Sequence, residues 1–377
     1  MAKRKGKSQY RMNWQQQYDH GEGDRQQFSS RSKLTQRQVK IPAQRDPAEI
    51  DNLEALPRVQ GMVMGLYPGG VAVRCEDRVL LCGVAKAFRV PEGAESASAV
   101  AVGDLVTVAL TRTEPANSQL DDKDRSDGMI LLRQKRTSVL SRPQPRSGKR
   151  REEHETEFLE KVIVANMDVL LVVAASAQPP LRRGLVDRFL IIAERGGMVP
   201  LLAINKIDLG LPPDGVLEGF EAMGLKAILV SAATRTGLEE LRTALAGKRT
   251  ILAGQSGVGK STLINAIIPG AQAATNEIRM KDQRGRHTTS SAVIYDLSAG
   301  GMIVDTPGVR ELGVYMGVNE LPWYFPEFDP FTAACKFRDC THTHEPSCAV
   351  QQAVESGAIA ARRYESYLRI LETLDEV

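Results

Sequence analysis

The sequence lacks any run of eighteen apolar residues, so no membrane span is expected; its longest candidate, Val162 to Ala175, is interrupted by Asn166 and Asp168 and reads as a buried strand. The basic N-terminus lacks the apolar middle of a secretory signal, and the chain is expected to be cytoplasmic. Cysteine is scarce, at 5 residues, which fits a reducing compartment. Aromatic residues make up only 5% of the chain. What is abundant is aliphatic: 42% of 377 residues are hydrophobic, enough for several cores and two or three domains, and too many for a chain disordered as a whole.

Net charge is small, +3, but unevenly spread. Residues 1–40 carry ten Lys or Arg against three Asp or Glu, leaving −4 for the remainder. Residues 1–54 therefore read as a basic tail, disordered in isolation, whose Gln-rich composition offers no core to bury. Its cations suit an electrostatic grip on nucleic acid, with a solubilising arm as the alternative. A second run, Arg133 to Arg151, has eight basic and no acidic residues and contains Pro143 and Pro145, so it reads as a phosphate-touching linker, assigned to residues 141–157.

Between these segments, residues 55–140 look all-β, with strands expected at Arg58 to Leu66, Gly70 to Cys75, Val79 to Cys82, Asp104 to Leu110 and Met129 to Leu132. Five short strands suit a small closed barrel of the OB-fold type, a common platform for single strands or RNA. Only Tyr67 and Phe88 are available there for base stacking, so a purely structural barrel is the competing reading. Cys75 and Cys82 look like buried strand residues.

The central region, residues 158–315, is read as an α/β domain carrying a nucleotide site. Gly254-Gln255-Ser256-Gly257-Val258-Gly259-Lys260-Ser261 fits G-x-x-x-x-G-K-S between an apolar strand ending at Ala253 and a helical run. Glycines let backbone N–H groups wrap the phosphates; Lys260 neutralises the β/γ oxygens and Ser261 suits Mg²⁺. Asn205-Lys206-Ile207-Asp208 follows another buried strand, and the Asp208 carboxylate, acceptor-only, matches the two donors of guanine. Asn205 can tether the base and its loops, and the Lys206 stem can lie over the ring. Leu229-Val230-Ser231-Ala232 supplies a second base-binding edge.

Asp305-Thr306-Pro307-Gly308 follows Met302-Ile303-Val304; an Asp at such a strand end supports Mg²⁺ through water, and the Gly308 amide can sense a γ-phosphate. Val309 stands where many GTPases have a water-orienting Gln, and valine has no hydrogen-bonding group, so slow intrinsic hydrolysis or a catalytic group from elsewhere is expected. Within Gly285-Arg286-His287-Thr288-Thr289, Thr288 or Thr289 offers Mg²⁺ a hydroxyl and His287 is a candidate to position water, a solvated loop histidine being the alternative. The proposed catalytic set is Lys260, Asp305 and His287. The guanine readers precede the phosphate loop, an order that suggests a circularly permuted GTPase.

Residues 316–377 contain Cys335-x4-Cys340-x-His342-x5-Cys348, four soft ligands that can close a tetrahedral structural zinc site, with His344 as a competing ligand. Val350, Val354, Ala361, Tyr364, Leu368 and Leu371 recur at helical spacing and should pack terminal helices onto this module.

Together these residues closely resemble the ribosome small-subunit-dependent GTPase A family over about residues 55–375. The resemblance implies a multidomain protein: an OB-fold barrel, a permuted P-loop GTPase domain and a zinc-binding α-helical module. It selects His342 over His344 as ligand and makes a hydrophobic residue at Val309 normal. It implies a GTP hydrolase using GTP, Mg²⁺ and one structural Zn²⁺, which binds the maturing small ribosomal subunit and its rRNA as a monomer and uses hydrolysis to control its own release. The barrel and zinc module would be two RNA-facing arms. A ribosome-independent signalling switch is the rival reading, while intact Lys260, Asp208 and Asp305 argue against a scaffold with a decayed site.

Overall fold

The computed structural model describes residues 55–67, 69–76, 78–90, 99–111, 126–144, 159–268, 292–306 and 313–375. Strands β1 (Arg58–Tyr67), β2 (Gly70–Cys75), β3 (Arg78–Arg89), β4 (Leu105–Leu110) and β5 (Gly128–Arg133) close a barrel in the order β1-β2-β3-β5-β4. Alternation sends Val71, Val73 and Cys75 of β2 inward, where they meet Val63, Leu80, Cys82, Val106, Val108 and Ile130. Gly61 permits this closure: a Cβ there would lie 2.5 Å from a Val73 methyl and 2.8 Å from the Arg74 carbonyl oxygen. Cys75 and Cys82 are buried, as expected, and burial pushes the Cys82 thiol up to about 12.

The expected single strand Val162 to Ala175 is instead two. Strand β7 (Leu159–Ala165) ends where Asn166 turns with φ +58°, and β8 (Val169–Ala175) starts after Asp168. Both interrupting polar residues are engaged at the break. Asn166 accepts from the Thr137 amide at 2.9 Å and donates to the Gly103 carbonyl at 2.9 Å, while Asp168 accepts from the Arg249 amide at 2.8 Å and pairs with its guanidinium at 3.0 Å. Asparagine adopts left-handed backbone at lower cost than most residues. The linker reading also needs revision in part, because β6 (Val139–Gln144) lies within the basic stretch and pairs antiparallel with β7. Val139 and Leu140 supply the apolar contacts there, with Leu140 joining the main core.

Next in the chain come α1 (Arg183–Arg195), β9 (Val199–Asn205), α2 (Val216–Glu221), β10 (Ala227–Leu229), α3 (Leu238–Leu245), β11 (Arg249–Ala253), α4 (Lys260–Ile267), β12 (Val293–Asp296) and β13 (Met302–Asp305). The sheet order is β10-β9-β8-β11-β13-β12, parallel throughout except for β12. Every residue of β8 is buried, as a central strand covered on both faces requires. Leu170 and Val172 pack with Val186 and Phe189 of α1, whereas Leu171 and Val173 pack with Leu241 of α3 and Leu263 of α4. Burial of each such side chain stabilises the fold by roughly 1.5–3 kcal/mol.

The chain divides into two compact units, with Val318–Leu368 separate from the barrel and sheet. This smaller unit contains α5 (Asp329–Thr332), α6 (Ala349–Glu355) and most of α7 (Ala361–Asp375). Phe325, Phe328, Tyr364 and Tyr367 form its aromatic centre, with Phe325 edge-on to Tyr367 at 5.3 Å. No helix among the described residues is long and apolar enough to cross a membrane.

Candidate GTP site and Cys3His cluster

Strands β8, β9, β11 and β13 are parallel, so their carboxyl ends Ala175, Asn205, Ala253 and Asp305 lie along one edge. The chain runs outward from β8 through β9 to β10, then returns to place β11 on the other side of β8. That reversal makes β8/β11 a topological switch point, where open α/β sheets form their ligand crevice.

The loop after β11 depends on its glycines. Gly254 has φ +141°, and a Cβ on it would sit 2.2 Å from the Val173 carbonyl oxygen. Gly259 has φ +93°, and its Cβ would sit 2.5 Å from Asn205 Nδ2. Larger residues at these positions would push the loop away from the strand and from the base-reading segment. Lys260 opens α4 and is buried, its ammonium donating to the carbonyls of Gly254 at 2.7 Å and Gln255 at 2.8 Å. The cation is thus held within the loop, beside exposed Ser256, Gly257 and Ser261.

Asn205, at the end of β9, is buried and joins both loops: Nδ2 donates to the Val258 carbonyl at 2.9 Å, and Oδ1 accepts from the Ala232 amide at 3.1 Å. Lys206 adopts φ +64°; its ammonium donates to the Gly257 carbonyl at 2.7 Å and to the Gln178 carbonyl. It therefore ties the phosphate loop to the segment after β8, a role that its sequence position had not suggested. Ile207 begins a short 3₁₀ turn ending at Leu209, and this turn carries the exposed Asp208. The Ser231 hydroxyl donates to Asp208 at 2.5 Å and accepts from the Thr234 amide at 3.1 Å, leaving the second carboxylate oxygen for a ligand donor. Gln178 and Ser176, whose hydroxyl donates to the Lys206 carbonyl at 2.8 Å, are contributors that no motif in the sequence had marked.

Asp305 stands half-buried at the end of β13, opposite Val293 of β12. Candidates His287, Thr288, Thr289 and Gly308 lie outside the described residues, as does Val309.

In the smaller unit, Cys335, Cys340, His342 and Cys348 present ligand atoms all within 4.8 Å of one another. His342 Nδ1 lies 3.6 Å from Cys335 Sγ and 3.4 Å from Cys348 Sγ, and those two sulfurs are 3.9 Å apart. A tetrahedral site with metal–sulfur bonds of about 2.3 Å has sulfur–sulfur edges of about 3.8 Å, so the donor set fits such an ion. Burial holds His342 below its ordinary value despite the opposing charge of Glu345, favouring the neutral ring that ligates metals. His344 is exposed and contacts Thr343 instead, outside the cluster.

An outer layer orients these donors. Tyr364 donates its hydroxyl to the His342 carbonyl at 2.5 Å, Tyr367 donates to the Thr341 carbonyl at 2.7 Å, and Phe328 meets the imidazole edge-on. Glu345 accepts from the amides of Thr341 at 2.7 Å and Thr343 at 2.9 Å. Burial would raise its carboxyl, but the Thr341 hydroxyl, which donates to it at 2.6 Å, together with these amides outweighs burial and brings the value down to about 2.

The RsgA GTPase family model matches residues 133–315. A small ribosomal subunit biogenesis GTPase RsgA from Chlorobaculum parvum is 39% identical over 288 residues, which cover 75% of this chain and 88% of the relative. The chain belongs to the RsgA GTPase family. A relative of the same name from Yersinia enterocolitica is 38% identical over 68% of this chain and 73% of its own length. Among solved structures, YjeQ from Thermotoga maritima matches with a TM-score of 0.59 and 30% identity, covering 84% of this chain and 99% of that one. YloQ, described as a circularly permuted GTPase, matches at 0.57 and 26%, with 85% and 96% covered.

As an RsgA GTPase the chain is a GTP hydrolase, and its guanine-reading segment precedes its phosphate loop, a circularly permuted order. The place of Asp208 yields a direct test of base reading. Asp208→Asn should weaken GTP binding and admit xanthosine triphosphate, because an amide can donate to the xanthine oxygen that a carboxylate repels. The loss for GTP should be at least about 1–3 kcal/mol, measured by competition binding of both nucleotides; unaltered GTP preference would remove Asp208 from that role.

Proposed function

We propose that this GTPase acts late in assembly of the small ribosomal subunit in the cytoplasm, binding the subunit and its rRNA as a monomer and coupling GTP hydrolysis to its own release. The observation carrying this reading is the match, over 88% of its length, to a relative named for small ribosomal subunit biogenesis. The basic N-terminal segment and the basic stretch around β6 supply the cations that rRNA phosphates require.

In the proposed mechanism Asp208 selects guanine, and Asn205 holds the base loop, Ala232 and the phosphate loop in register. Lys206 fastens the same loop from its other side. The amides of Gly254 to Ser261 and the Lys260 ammonium receive the phosphates, with Lys260 moving from loop carbonyls onto β/γ oxygens. Ser261 and Thr288, with Thr289 as the alternative, would hold Mg²⁺, supported by Asp305; the ion neutralises phosphate charge. Val309 cannot orient water, so His287 or a group supplied by the subunit does so. Cys335, Cys340, His342 and Cys348 would hold one structural Zn²⁺, whose coordination they complete. In sequence Gly308 directly precedes that module, so loss of the γ-phosphate can release the module's hold on the subunit.

A GTPase assay with and without purified small subunits tests the reading. Turnover should rise about 10-fold or more with subunits, a modest effect beside the roughly 10³- to 10⁵-fold that groups supplied in trans give other GTPases. Indifference to the subunit would favour a ribosome-independent signalling switch.

A further inference from the structure

Trp323 is 72% exposed, although the turn carrying it is firmly anchored. Leu321 and Phe325 on either side are fully buried, and the Arg363 guanidinium lies 4.5 Å from the centre of the Phe325 ring. The indole is thus presented to solvent by fixed neighbours, an arrangement that lowers the entropic cost of binding. Exposed tryptophan held this way is a typical anchor of protein interfaces.

Charge indicates what it takes. Residues 318–368 contain seven Asp or Glu against four Lys or Arg. One of those four, Arg363, is buried and paired with Glu327, while a closed site of three thiolates and one Zn²⁺ would add a further negative charge. RNA binding depends on cations that neutralise phosphates, and this unit has an acidic excess. The same excess opposes docking of a second copy. A cation over the indole face gains roughly 0.5–2 kcal/mol, and the unit's acidic excess adds attraction.

We infer that the unit carrying the Cys3His cluster docks a lysine- and arginine-rich protein surface through Trp323. This inference departs from an RNA-facing role for that unit and does not depend on the assembly reading. Its test uses the full-length, metal-loaded protein with two labelled probes, a lysine- and arginine-rich peptide and oligouridine. Trp323→Ala should weaken peptide binding roughly tenfold or more and leave oligouridine affinity unchanged. Lys336→Ala/Arg338→Ala, which removes the two exposed cations of the unit, should strengthen peptide binding. Peptide affinity indifferent to Trp323→Ala overturns the inference, as does lost oligouridine affinity in that variant, which would mark base stacking. Self-association abolished by Trp323→Ala would assign the indole to a second copy and equally overturn it.

Discussion

Lys260→Ala is expected to lower GTP turnover by about 100- to 1000-fold or more, the loss seen when a preorganised group facing developing charge is removed. The ammonium is already confined in the loop, donating to the Gly254 and Gln255 carbonyls, so little reorganisation separates its resting position from the phosphates. Nucleotide affinity should fall as well, since the same charge meets the ground-state β/γ oxygens. Guanine preference should survive, because Asn205 and Asp208 make their contacts without Lys260. Single-turnover hydrolysis at saturating GTP separates the two losses. Wild-type turnover at saturation would mean that the lysine contributes only to binding.

Cys340→Ala should release the metal and unfold much of Val318–Leu368, because binding free energy in such modules, about 10–16 kcal/mol in model peptides, is also folding free energy. The aromatic centre of Phe325, Phe328 and Tyr367 packs against His342, so opening the cluster also exposes apolar surface. GTP affinity should stay near wild type, since the described base and phosphate loops belong to the other unit. Subunit-stimulated turnover should fall sharply. Metal analysis paired with the two assays decides the matter: a metal-free protein that the subunit still stimulates fully would dissociate the module from subunit sensing.

Much of the fold was legible because short-range chemistry encodes it. Alternating apolar residues placed the barrel strands, and the apolar runs before Asn205, Gly254 and Asp305 placed three parallel strands of the sheet. The break between β7 and β8 was marked in the chain by Asn166 and Asp168, yet only their distant partners Thr137, Gly103 and Arg249 show why a turn forms there. The pairing of β6 with β7 was hidden for a similar reason: the basic residues and prolines around Val139 and Leu140 resemble a linker until a partner strand covers them.

By itself the sequence determined the nucleotide, the permuted order of its loops and the soft donor set of the C-terminal cluster. Each of these is a local matter of which donors, acceptors, glycines and thiols stand at fixed spacing. Tertiary structure decided the rest. It placed β11 beside β8, turned the Lys206 ammonium onto the Gly257 carbonyl, and brought His342 rather than His344 to three cysteines. Those outcomes depend on contacts between residues far apart in the chain, whose geometry exists only once the sheet and the aromatic centre have packed.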